Sequence, residues 1–219
     1  MLVKNIPFET IPHAEFTDSV YRVLSLMQDN EVSHIAVEHE DKFAGLLSED
    51  ELLGVDEELL VGELQHLLHL LSVKDEEHFL NAVALVTAHN LSTLPVTDAA
   101  GNLAGTIRAS NLLKYIADFM RLQEPGAMVV VETDPQHYSF SEISKIIESN
   151  DAHVTQLNTS RDAEKGTMLV TIKIDKLEIS DIVASFQRYE YNVKYYSGEE
   201  LYINELKSNY ENLMNYLNI

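Results

Sequence analysis

The side chains best suited to chemistry in this chain are carboxylates and imidazoles. Acidic runs occur at Glu38–Asp41, Glu49–Glu51, Asp56–Glu58 and Asp75–Glu77. Paired carboxylates can hold a divalent cation or act as acid and base. Such runs usually form a solvated face, and nothing singles out one pair. Glu63, His66 and His69 recur every third residue, which on a helix would bring them to one face as metal ligands. The competing reading has Leu64, Leu67, Leu68, Leu70 and Leu71 bury this segment and leave the histidines at its edge. That reading is preferred, and no metal site is expected. His34, His39, His78, His89 and His153 have no partner at a recognisable ligand spacing. The sequence contains no G-x-S-x-G elbow, no G-x-x-x-x-G-K-[ST] phosphate loop and no G-x-G-x-x-G turn. No enzymatic activity is expected.

Composition narrows the partners. The 219 residues carry a net charge of −21, are 45% hydrophobic and include no cysteine. That length suits one or two compact domains, and that hydrophobic fraction suits a globular chain. Phosphates repel such a surface, and the lysines and arginines are scattered, so neither nucleic acid nor an anionic membrane is expected as a partner. No apolar run approaches the roughly 20 residues of a membrane span. Met1–Phe8 contains Lys4, Asn5 and Pro7 and lacks the apolar core of a signal peptide. Without cysteine there is no disulfide framework and no thiolate site. The expectation is a soluble cytoplasmic protein.

An internal repeat sets the elements of the first half. Thr17–Leu53 matches Glu76–Leu113 at an offset of 59–60 residues. Val20, Val23, Leu24 and Met27 align with Phe79, Ala82, Val83 and Val86, each set on one helical face. An extended run follows, His34–Val37 against Thr93–Val96. Then come a polar turn, a small-Gly pair (Ala44-Gly45 and Ala104-Gly105), a second strand and a helix (Glu49–Leu53 and Ser110–Ala117). The second copy's helix is read as running to about Leu122. Each copy reads helix–strand–turn–strand–helix. One copy has too little apolar surface to close a core, whereas two can pack together about a pseudo-dyad with related pockets in the cleft between them.

These residues resemble a tandem pair of cystathionine-β-synthase (CBS) domains, a Bateman module, over roughly residues 1–120. The resemblance rests on the apolar helix, the Leu94-Pro95-Val96 strand and the G-h-h-T/S-x-x-D pattern. It implies two βαββα-type repeats, 1–60 and 61–122, with a regulatory role and an adenosine-type ligand such as AMP in the inter-repeat cleft. It further implies that the Thr/Ser of the motif meets phosphate and that its Asp meets the ribose hydroxyls. In copy one, Ser48 matches the hydroxyl position and Glu51 stands at the ribose position. In copy two, Arg108 replaces the hydroxyl and Asn111 the Asp. Arg108 either binds phosphate bidentately or plugs the pocket by pairing with a carboxylate of the other copy. Copy one is the better candidate, and Leu94 and Pro95 complete the expected ligand set.

The second half follows a different pattern. Gln123–Gly126 reads as a linker. Ala127–Val131 reads as a buried strand, and Ser139 with Glu142 as a capping box. Phe140, Ile143, Ile146 and Ile147 share one helical face, Ala152–Ser160 reads as a strand, and Met168, Val170, Ile172 and Ile174 alternate as in a half-buried strand. Ile179, Ile182, Val183, Phe186 and Tyr189 mark a second helix, and Val193–Tyr196 a last strand. The order βαββαβ is ferredoxin-like, and residues 127–197 resemble an ACT domain, a ligand-sensing module. In the ligand turn that this resemblance implies, Asp134 matches the acidic position, while Tyr138 falls about where glycine belongs. Fold support or dimerisation is the preferred role here.

Residues 198–219 read as a C-terminal helix, with Ser197 and Glu200 as a capping box and Ile203, Leu206, Tyr210, Leu213 and Leu217 as a heptad-like stripe. The whole is α+β: a CBS-domain pair, a ferredoxin-like ACT-like domain and a C-terminal helix. That order of domains is similar to acetoin-utilisation-type CBS proteins. The expected function is non-enzymatic ligand sensing in a homodimer built through CBS, ACT-like and C-terminal-helix surfaces, acting on an unidentified regulated protein. The alternative is a structural or protein-interaction module with degenerate ligand sites.

Overall fold

The computed structural model describes residues 1–8 and 11–198. Residues 199–219 of the C-terminal helix expected from the sequence, with Glu200 of its capping box, therefore lie outside the described residues. The chain divides into two compact units, the first ending at Ile116 and the second starting at Ala117.

The first unit contains both repeats except the end of their last helix, beyond Ile116. Repeat one runs β1 (Ala14–Glu15), α1 (Val20–Asp29), β2 (His34–His39), β3 (Lys42–Ser48) and α2 (Glu49–Leu52). Repeat two runs β4 (Val73–Lys74), α3 (Phe79–His89), β5 (Thr93–Thr97), β6 (Leu103–Arg108) and α4 (Ala109–Phe119). Each three-stranded sheet has its two-residue strand parallel to the next, followed by an antiparallel hairpin. The helical faces form as their spacing requires: Val20, Val23, Leu26 and Met27 are buried on α1, and Phe79 and Ala82 on α3. The Ser19 hydroxyl caps α1 by accepting from the Arg22 N–H at 3.3 Å. α4 ends at Phe119, short of Leu122.

The repeats exchange their leading segments. Val3 and Ile6 are buried in the core of repeat two, and Val3 and Lys4 donate backbone N–H to the carbonyls of Glu77 and Asp75 at 2.9 and 2.8 Å. Val61 and Leu64 are buried in the core of repeat one, where Val20 donates to Leu59 and Val61 to Asp18, both at 2.9 Å. Each repeat thus closes with chain that precedes the other. Across the pseudo-dyad, Ser33 N–H donates to the Ser92 hydroxyl at 3.0 Å, and the buried Thr93 hydroxyl donates to the His34 carbonyl at 2.8 Å.

The second unit contains β7 (Ala127–Thr133), α5 (Phe140–Glu148), β8 (Val154–Arg161), β9 (Met168–Ile174), α6 (Ser180–Arg188) and β10 (Asn192–Ser197). Its antiparallel sheet has the order β10-β7-β9-β8, the ferredoxin-like arrangement. Val129, Val131, Val170, Ile172 and Ile174 from the strands pack with Ile143, Ile146, Ile147, Ile182 and Phe186 from the helices. Three details depart from the sequence reading. Phe140, in the first turn of α5, is 53% exposed rather than on the buried face. Ser139 caps α5, but the Glu142 carboxylate accepts the Tyr191 hydroxyl at 2.6 Å instead of closing the box. The outward face of β9 is not open to water at Lys173, whose ammonium donates to the carbonyls of Arg121 and Glu124.

Candidate functional site

The site is built where β3 of repeat one ends. Ser48 is still extended and serves as N-cap of α2. Its hydroxyl accepts from the Glu51 N–H at 3.3 Å, while the Glu51 Oε2 accepts from the Ser48 N–H at 3.3 Å and from its hydroxyl at 2.8 Å. This is a complete capping box. The Ser48–Glu51 pair marked by the sequence is therefore a local unit before any ligand arrives.

The chain then returns to the same place. Gly45 pairs with Val37 on β2, where a side chain would collide with the segment packed above: a Cβ at Gly45 would lie 2.7 Å from that of Leu68. The close approach lets His69 form an isolated antiparallel bridge with Leu46, its carbonyl accepting at 2.8 Å and its N–H donating at 3.0 Å. The bridge places the His69 Nε2 2.5 Å from the Glu51 Oε1. Burial pushes the Glu51 carboxyl up, but the hydrogen bonds from His69 and from the Ser48 hydroxyl and N–H outweigh it and hold the group below its ordinary value.

His34 lies opposite Ser48 in the β2–β3 register. Its Nδ1 accepts the Ser92 N–H at 3.3 Å, with the Ser33 and Ser92 hydroxyls each at 3.2 Å. A backbone N–H can only donate, so the ring carries its proton on Nε2. Burial lowers its pKa, with Glu51 and Asp50 opposing and His69 adding to the fall; the net direction is down. His34 is thus a neutral donor.

These side chains line a cavity of about 140 Å³ together with His89 and the apolar walls Leu46, Leu71 and Leu91. Among the described residues, no lysine or arginine lines it. Of the residues expected from the sequence, Ser48 lines this cavity and Glu51 is bonded to two residues of its lining. Leu94 and Pro95 do not line it: both are buried on β5, Leu94 in the core of repeat two. Arg108 and Asn111 occupy the equivalent positions of repeat two, at the end of β6 and in the first turn of α4. The sequence reading missed His34 and His69, because their partners are distant along the chain. His66 and His69 do not share a helix face, since the segment forms 3-10 turns at Val61–Glu63 and Gln65–Leu67. Among the described residues, no three His, Asp or Glu side chains converge as a metal site.

In the second unit, Asp134 lines an open cleft of about 450 Å³ with Glu132, His137, Glu142, Thr167 and Tyr191 among others. The Asp134 Oδ1 accepts the Gln136 N–H at 2.8 Å, and Tyr138 packs against the core outside the cleft lining. The carboxylates here are already engaged. Glu132 accepts from Lys194 at 2.7 Å and Asn192 at 2.9 Å, and Glu142 from the Tyr191 hydroxyl, whose pKa is raised by burial and by that carboxylate. No helix of the described residues is long and apolar enough to cross a membrane.

Among solved structures, the chain is similar to a CBS domain pair/ACT domain protein from Thermotoga maritima (24% identity, 55% of this chain and 99% of that one, TM-score 0.50). It is also similar to a Vibrio cholerae protein described as an acetoin utilization protein (20%, 57% and 98%, 0.47). A third is the Arabidopsis thaliana CBS-pair protein CBSX2 in complex with AMP (23%, 54% and 97%, 0.46). No curated protein matches the chain. The CBS domain profile matches residues 3–58 and 61–118, the two repeats whose sheets and exchanged segments are described above, and the chain belongs to the CBS domain family.

Proposed function

We propose that this is a non-enzymatic regulatory protein whose repeat-one cleft senses an adenosine-type ligand of low charge. CBS pairs are typically regulatory modules. The observation that carries the reading is the convergence of Ser48, Glu51 and the neutral donor His34 beside the apolar walls Leu46, Leu71 and Leu91. Apolar walls suit a purine, a carboxylate can accept from two vicinal hydroxyls, and a hydroxyl can donate to a phosphate. With no lysine or arginine in the lining and Glu49 and Asp50 next to Glu51, each added phosphate meets repulsion. Thermal-shift titration of the full chain tests this. AMP and adenosine should raise the melting temperature more than metal-free ATP at equal concentration. No stabilisation by any adenosine compound at millimolar concentration refutes the reading.

A second reading has an observation of its own. The cavity is smaller than the roughly 300–1,000 Å³ of most ligand sites, and both Glu51 oxygens already accept hydrogen bonds. This favours a protein-interaction module with degenerate pockets. In both readings the working unit is a homodimer whose regulated partner is a protein.

A further inference from the structure

The Glu51 carboxylate has two roles that cannot be filled together. Its Oε2 is tied to Ser48, three residues earlier, and its Oε1 to His69 across the cavity rim. A vicinal diol brings two donors to a carboxylate with about four acceptor sites, three of them already taken, so seating both hydroxyls displaces one of these donors. Ser48 is the less displaceable donor, because its bonds cap α2 from within one turn of chain. His69 is the more displaceable one. Its side chain is 56% exposed, against 27% for Glu51, so the ring can swing into water and lose little. The size of the cavity agrees: with His69 drawn onto Glu51, about 140 Å³ remains, less than half the lower bound for most ligand sites.

We propose that His69 is a displaceable latch that closes the repeat-one cleft by occupying Glu51 in the free protein, and that a ligand bearing a vicinal diol opens it by replacing the imidazole. This rests on the adenosine reading for the identity of the ligand, but the latch itself is a property of the free chain. A ligand able to compete for Glu51 converts a small cleft into a larger one, and the released imidazole becomes available to an acceptor on that ligand. Ligand entry is thereby coupled to rotation of the His69 ring, while the backbone of that residue stays bridged to Leu46.

The test uses adenosine, which carries the diol and no phosphate, titrated calorimetrically into the full chain. His69→Ala should bind adenosine about 3- to 5-fold more tightly than wild type, the range expected for removing a partly exposed hydrogen bond. In the Glu51→Gln background the same substitution should give no gain, because the latch acts through that carboxylate. Weaker or unchanged binding by His69→Ala, or an equal gain in both backgrounds, overturns the proposal. A ligand-free measurement separates this from the adenosine reading. The ring ¹⁵N resonances of His69 should move between wild type and Glu51→Gln. If they do not, there is no latch, whatever adenosine does. If they move and no adenosine compound binds either protein, the latch stands and the adenosine assignment falls.

Discussion

At Glu51 one carboxylate collects three hydrogen bonds, two from Ser48 and one from His69, and is held below its ordinary pKa despite burial. A carboxyl whose folded pKa is depressed stabilises the fold fully above its unfolded value of 4.5, and that contribution is lost as pH falls through the lower folded value. Wild type should therefore be more stable than Glu51→Gln near neutrality, and the difference should shrink steadily below about pH 4.5. Chemical denaturation across that range measures it, and a difference independent of pH contradicts the assignment. The Ser48–Glu51 pair was legible through the resemblance to the CBS motif, whose two positions stand three residues apart; that they also form a capping box is what the structure adds. His69 was not, because the bond joins residues 18 apart that meet only through the Gly45 approach. His34 was not either: its tautomer is set by the N–H of Ser92, 58 residues away.

At the scale of elements, the glycine of each motif acts through what lies above it. Gly45 and Gly105 both face a crossing segment at 2.7 Å from a would-be Cβ, Leu68 in one repeat and Phe8 in the other. The strand register shifts beside each of them, between Val37 and Glu38 and between Val96 and Thr97. Gly45→Ala should push Leu68 off β3 and break the His69 bridge. A loss of about 1–3 kcal/mol by urea unfolding is expected, the usual scale for overpacking, together with a shift of the His69 ring resonances. A variant as stable as wild type shows that the crossing segment yields without cost. Periodicity located α1, α3, α5 and α6 because each has an apolar face that spacing alone reveals. It misplaced Phe140, since the pattern marks a face but not how far along the helix the sheet extends beneath it. The half-buried reading of β9 left its alternate face unassigned, and there the structure spends the Lys173 ammonium on the carbonyls of Arg121 and Glu124.

At the scale of the molecule, neither repeat is a self-sufficient piece of chain. Residues 1–6 complete repeat two, and 59–64 complete repeat one. A cut between the repeats should therefore leave both halves poorly folded alone. The proposed dimer carries its own test: with residues 199–219 deleted, the mass in solution should fall from dimer to monomer, and an unchanged dimer removes the tail from assembly. The sequence by itself determined the internal duplication, the α+β class and the order of a repeat pair before a ferredoxin-like domain, because repeats and burial periods are written along the chain; the CBS family entered through resemblance. Only the tertiary structure decided which repeat each leading segment completes, and that Glu51 meets His69 while His34 meets Ser92. The segment exchange and the His34–Ser92 bond depend on how two similar surfaces pack about a dyad, and the Glu51–His69 bond on the close approach of the returning segment at Gly45. Residue spacing encodes which face of an element is buried, and not which distant residue will be found there.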